Sequence, residues 1–214
     1  FKDLCFGICW YNDGSIFRLL ESLPKEAKKI IIDGKFAYAD GPPLSQEDYR
    51  ERVKRYDNVT LIDAPNLPEP EKRSLYLKDN PYKYLFIIDS DEYILIGEWE
   101  KTFAFLNELE DGCHDVFFEV DEVGGVGSYP RIWIHPKDYE YKICHNIWVD
   151  KRRGMVLKSG NTGGKQVPGI LCGMNDGMRT KEYLKLTFDY QVKMMNFEKP
   201  YKQEYLEGKL GSFI

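Results

Sequence analysis

The fold class predicted by the sequence is α/β, a doubly wound, mostly parallel sheet with an added antiparallel part and a long C-terminal helix. Three observations predict it. Short apolar runs alternate with helical stripes as far as about Glu110. Those runs are continuous rather than alternating, as expected of parallel strands covered by helices on both faces. Four of them end in polar residues: Asn12-Asp13, Asp33, Asp63 and Asp89 to Glu92.

Cys5 to Trp10 is the first strand, closed by Asp13-Gly14-Ser15, a turn and helix cap. Ile16, Leu19, Leu20 and Leu23 then share one helical face, which stops at Pro24. Lys29 to Ile32 is a second strand ending in Asp33-Gly34. Ser45-Gln46-Glu47-Asp48 resembles a capping box, and Tyr49, Val53 and Tyr56 follow at helical spacing. Val59 to Ile62 is the third strand. Pro70 suits the first turn of a helix running to about Lys78. Tyr84 to Ile88 is the fourth and most apolar strand, and a helix with Trp99, Phe103 and Leu106 inward is expected after it. This βαβαβαβα order requires right-handed crossovers and a parallel sheet.

Beyond Glu110 the pattern changes. Val116 to Val120, Arg131 to Ile134 and Tyr141 to Val149 read as strands with longer loops. A helix is expected from about Thr180 to Phe197, with Leu184, Phe188, Val192 and Met195 on one face. No linker divides the chain, so residues 1–214 are expected to form a single domain. Its nucleotide-binding half would be 1–110 and its acceptor half 111–214.

Composition narrows the function classes. Hydrophobic residues make up 43% of the 214, enough for a substantial core. The net charge of -5 and the absence of a clustered basic face argue against a nucleic-acid partner. The five cysteines form no CxxC pair, which removes zinc-knuckle and thioredoxin-like motifs and suits a reducing, cytoplasmic setting. No apolar run approaches the roughly 18 residues of a membrane span, although a position at the inner face of a membrane is compatible with the sequence. The chain begins at Phe1, which leaves room for a removed upstream segment. Fifteen tyrosines, apolar rings with polar tips, suit a cleft for flat or hydroxylated ligands as well as ordinary packing.

Ligands of open parallel sheets bind outside the carboxyl ends of the strands. The densest polar cluster there is Asp89-Ser90-Asp91-Glu92. Carboxylates one residue apart can face a common hard cation, Mn2+ or Mg2+, which would hold a diphosphate and neutralise its charge as it leaves. The same pattern also occurs as a solvated turn.

The stretch YKYLFIIDSDEYI, Tyr82 to Ile94, resembles the core of GT-A fold glycosyltransferases of the large inverting family 2. Glu71-Lys72-Arg73-Ser74 is similar to a basic segment of that family's lipopolysaccharide-core branch. So are Arg131-Ile132-Trp133 and Tyr141 to Asn146. The resemblance implies a GT-A-like domain that moves a sugar from a nucleotide-sugar donor, a UDP-sugar foremost, to a hydroxyl of a glycan, lipid-linked or protein acceptor. It implies Asp91 as metal ligand, and Asp89 beside the ribose, diphosphate and metal. Asp33 would face the base, Arg73 would approach the donor, and Tyr11 to Asp13 would line the nucleotide pocket.

Two departures stand out. Asn146 occupies the position where that branch carries Glu, and Asn cannot deprotonate an acceptor hydroxyl. Asp150, Glu92 or Asp121 are the carboxylates that could serve instead. The stretch Pro168 to Asp176 has no late His to complete a metal shell. A nucleotide-sugar binder with weak or no transfer is therefore the main alternative. A haloacid-dehalogenase-like phosphatase, with Asp89 as nucleophile, fits less well: that motif comes early in its fold, whereas three strands precede it here.

Overall fold

The computed structural model describes residues 1–37, 40–120, 125–141, 147–158 and 164–174. Its centre is four parallel strands, β1 (Leu4–Trp10), β2 (Lys28–Asp33), β3 (Val59–Asp63) and β4 (Tyr84–Ile87), in the order β3-β2-β1-β4. Helices α1 (Ile16–Ser22), α2 (Glu47–Val53) and α3 (Glu69–Ser74) connect them. The alternation expected from the sequence is thus present, with boundaries displaced by a few residues.

Period-2 geometry divides β1 between two cores. Leu4, Phe6, Ile8 and Trp10 join Phe86 and Ile88 on one face, under Leu19, Leu20 and Val53. Cys5 and Cys9 join Leu85 and Ile87 on the other, under Tyr76 and Leu77. Gly7 lies where no side chain fits: a Cβ there would stand 2.8 Å from the Tyr76 ring.

The sheet continues past β4. An edge strand β5 (Glu92–Gly97) precedes helix α4 (Trp99–Leu106), and β6 (Gly112–Val120), β7 (Gly125–Ile134) and β11 (Gln166–Met174) fill the gap. The full order is β3-β2-β1-β4-β7-β6-β11-β5. β7 runs antiparallel to β4 and β6, and β11 antiparallel to β5. The helix expected after the acidic turn, with Trp99, Phe103 and Leu106 inward, is α4, but the strand β5 that precedes it was not expected. Tyr93 to Ile96 form a strand because β11, more than seventy residues on, supplies the partner. No local signal announces such a pairing.

The single strand expected from Tyr141 to Val149 is two, β8 (Tyr139–Tyr141) and β9 (Ile147–Asp150), which with β10 (Met155–Lys158) form a second, three-stranded sheet. This sheet covers the second core through Tyr139, Tyr141 and Trp148, which pack with Trp133. The helix expected from Thr180 to Phe197 lies outside the described residues.

Candidate functional site

In the strand order, β1 leads to β2 on one side and has β4 on the other. The crevice beyond their carboxyl ends is the switch point at which such sheets bind ligands. Two turns meet there. After β1, the Trp10 indole donates to the Asp13 carbonyl (2.8 Å), and Asp13 Oδ1 accepts from Ser15 N (2.9 Å). After β4, the Ser90 hydroxyl donates to Asp13 Oδ2 (2.8 Å), tying the acidic turn to the first one.

Asp89 is held from two sides. Arg73, on α3, donates from Nη2 to Oδ1 (2.9 Å), and Arg131, on β7, donates from Nη2 to Oδ2 (3.3 Å). The same Arg131 Nη2 reaches Glu92 Oε1 (2.6 Å), and Glu92 Oε2 accepts the Asp89 N–H (2.8 Å). Arg73 also donates to Glu69 (2.7 Å) and to the Tyr76 hydroxyl (3.4 Å). Burial opposes ionisation of Asp89, but the two guanidinium groups outweigh it and hold the carboxyl well below the usual carboxylate range. Glu92 moves the other way. Burial, reinforced by the Asp89 charge, pushes it up to about 8 despite Arg131.

A carboxyl raised in the folded state stabilises the fold below its ordinary value of 4.5 and loses that contribution as pH rises through about 8. Glu92→Gln removes this dependence. Its stability deficit against the parent is therefore expected to shrink across that window, measured by denaturant unfolding at each end. A deficit that stays constant or grows would show that Arg131 keeps Glu92 ionised throughout.

The other expected site residues fall as follows. Asp33 is fully buried at the end of β2, where Oδ1 accepts from the Ser45 hydroxyl (2.5 Å) and Oδ2 from Arg50. Arg50 also binds Asp63 (2.7 Å). Tyr11 is half-buried, its hydroxyl donating to the Pro42 carbonyl (2.7 Å). Asn12, in left-handed backbone at φ 50, bonds to Ser45 and Gln46, so the 40–46 loop is pinned to the turn after β1. Lys72, fully buried, donates to the Gly34 carbonyl and lies 4.3 Å from the Phe36 ring. Asp91 is half-exposed on the acidic turn.

Asp150 belongs to a different network. It ends β9 in the second sheet and accepts from Arg152 N (2.9 Å), from the Arg152 side chain (3.3 Å) and from Arg153 N (3.3 Å). Asn146, His145 and Asp121 lie outside the described residues.

The structure thus gathers Asp89, Glu92 and Arg73 into one ion network, with Asp91 on the same turn. It adds Arg131, for which the sequence suggested no role. The available signals were the family-like segment Arg131-Ile132-Trp133 and the cation that begins its apolar run.

Among the described residues, no group of three or more His, Cys, Asp or Glu side chains is placed to hold a metal ion. Asp89 is a poor metal ligand in this setting, because a cation at its oxygens would meet two guanidinium charges. Asp91, a half-exposed hard-oxygen donor, fits one.

No helix of the described residues is long and apolar enough to cross a membrane. No family model and no curated protein matches the sequence. Among solved structures the chain is similar to S. aureus TarS at 20% identity over 58% of its length, with TM-score 0.42 and 23% of that chain covered. Against TarS 1-349 in complex with UDP-GlcNAc the TM-score is 0.43 with 36% of that chain covered, and in complex with UDP it is 0.41 with 37% covered. The chain thus spans little more than a third of even the shorter TarS chain, and the functional reading of its site rests on its own residues.

Proposed function

We propose that this protein is a glycosyltransferase that takes a sugar from a UDP-sugar donor and passes it to a hydroxyl acceptor with inversion, aided by Mn2+ or Mg2+. The observation that carries the reading is the Asp89-Ser90-Asp91 turn at the β1/β4 switch point, tied through Ser90 to the turn after β1. The resemblance of Tyr82 to Ile94 to family 2 glycosyltransferases adds to it.

In this reading Asp91 holds the cation, with remaining ligands from the donor diphosphate and water. When bound, the cation offsets the charge that develops on the leaving diphosphate. Asp89 keeps the two arginines beside that position. Tyr11 and the pinned 40–46 loop border the nucleotide, while Asp33 shapes the pocket from beneath through Ser45 and Arg50 rather than by presenting a free oxygen to the base.

Inverting transfer needs a base for the acceptor hydroxyl. The oxygens of Glu92 and Asp150 are engaged by Arg131 and the Asp89 amide, and by Arg152 and Arg153. That observation favours a second reading, a nucleotide-sugar binder with slow or no transfer. Restoring a carboxylate by Asn146→Glu separates the two, since a general base is typically worth about 10²–10⁴-fold in rate.

The reading of the donor site is tested by melting. UDP or a UDP-sugar is expected to raise the midpoint, and more so with Mn2+, because a ligand bound only to the folded state stabilises it by mass action. Asp91→Asn should keep the parent's melting temperature and lose the Mn2+-dependent part. A parent that responds to beryllium fluoride and not to UDP would instead be a phosphatase.

A further inference from the structure

We propose that Arg131 is a positioning residue: by bridging Asp89 and Glu92 it sets the turn that presents Asp91 to a diphosphate and its cation. This rests on the donor site proposed above. Three independent features of the strand carry it.

The first is the bridge itself. One nitrogen, Nη2, contacts Asp89 Oδ2 and Glu92 Oε1, the first and last residues of the Asp89-Ser90-Asp91-Glu92 turn. The turn is already closed on itself by Glu92 N to the Asp89 carbonyl (3.0 Å) and Asp89 N to Glu92 Oε2 (2.8 Å). Arg131 therefore closes from outside a ring whose only intervening residues are Ser90 and Asp91. Ser90 is tied to Asp13, so the position of Asp91 follows from the ring.

The second is a β-bulge. β6 pairs His114 with Ile132 and Asp115 with Pro130, so Arg131 is the extra residue that the ladder passes over. A bulge turns a side chain away from the direction that simple alternation would give it, and bulges recur beside functional sites. The neighbouring Ile132 pairs with Phe86 of β4, which places the bulge beside the end of the strand that carries the acidic turn.

The third is an unfavourable group left in place. Arg131 Nε is buried and has no hydrogen-bond partner among the described residues. Buried donors are nearly always satisfied, and an orphan calls for a reason. Here the guanidinium is oriented for its Nη2 contacts at the expense of Nε. A purely structural ion pair on a regular strand would need neither the bulge nor the orphan.

The test is calorimetric titration of UDP into the full chain with and without Mn2+, on the parent, Arg131→Lys, and the double variant Arg131→Met with Glu92→Gln. Lysine keeps the charge balance but offers one compact ammonium instead of a planar fork. The double variant removes both members of the outer bridge, leaving no unpaired Glu92 charge. The ratio of UDP affinities with and without Mn2+ is expected to fall about tenfold or more in both, within the usual span of coupling between two ligands. A folded variant of either kind that retains the parent's ratio overturns the positioning role alone. A parent that binds no UDP under either condition overturns the donor-site reading and this inference with it.

Discussion

Asp89→Asn is expected to destabilise the fold by roughly 3 kcal/mol, the lower end of what removing one partner from a buried ion pair costs. The lower end applies because the Asp89 side chain retains 31% of its exposure, while Arg73 and Arg131 retain 13% and 17%. Asparagine keeps the shape but leaves Arg131 with Glu92 and Arg73 with Glu69. The effect should depend on pH in a fixed direction. A carboxyl depressed in the folded state stabilises the fold above its ordinary value of 3.8, and that contribution disappears as pH falls. The parent should therefore lose stability towards acid more steeply than the variant, by denaturant unfolding. Asp91→Asn, one residue from Ser90 on the half-exposed side of the turn, should stay within about 0.5 kcal/mol of the parent, as surface changes do. Equal losses for the two variants would refute the division of labour between them.

Trp133→Ala is expected to cost about 3–5 kcal/mol, the range for removing a buried large aromatic. Trp133 has no exposed surface. It packs against Tyr139 with ring centroids 4.8 Å apart and against Trp148 at 5.3 Å, so it joins the three-stranded sheet to the main one. Its indole Nε1 has no hydrogen-bond partner among the described residues. Trp133→Phe, which sacrifices no hydrogen bond, should therefore cost markedly less than the alanine change. Urea unfolding of both variants checks this. If phenylalanine proves as damaging as alanine, the indole N–H has a partner in solution, such as an ordered water.

The contrast between these two sites follows the contrast in what the sequence could reveal. The first core was legible because its signal is local. Ile16, Leu19 and Leu20 share a helical face, and Phe86 and Ile88 lie in a run too apolar to be anything but a buried strand. The acidic turn was legible for the same reason, since its residues are contiguous and follow that run. The base-facing role expected of Asp33 is a different case. Its position at the end of β2 could be read from the sequence. Its engagement by Ser45 and Arg50 could not, because those partners arrive from twelve and seventeen residues away.

By itself the sequence determined the βαβ succession, the parallel centre and the place of Asp89 to Glu92 at a strand end, all set by hydrophobic periodicity and turn chemistry that neighbouring residues share. Tertiary structure alone decided that Tyr93 to Ile96 become an edge strand beside β11, that Tyr139 to Lys158 contribute a second sheet, and that Arg131 closes the acidic turn. Each of these depends on strand pairing or charge contact between residues dozens of positions apart. A strand carries no mark of its partner, and an arginine no mark of the carboxylate it will meet, until burial brings them together and makes an unpaired charge costly.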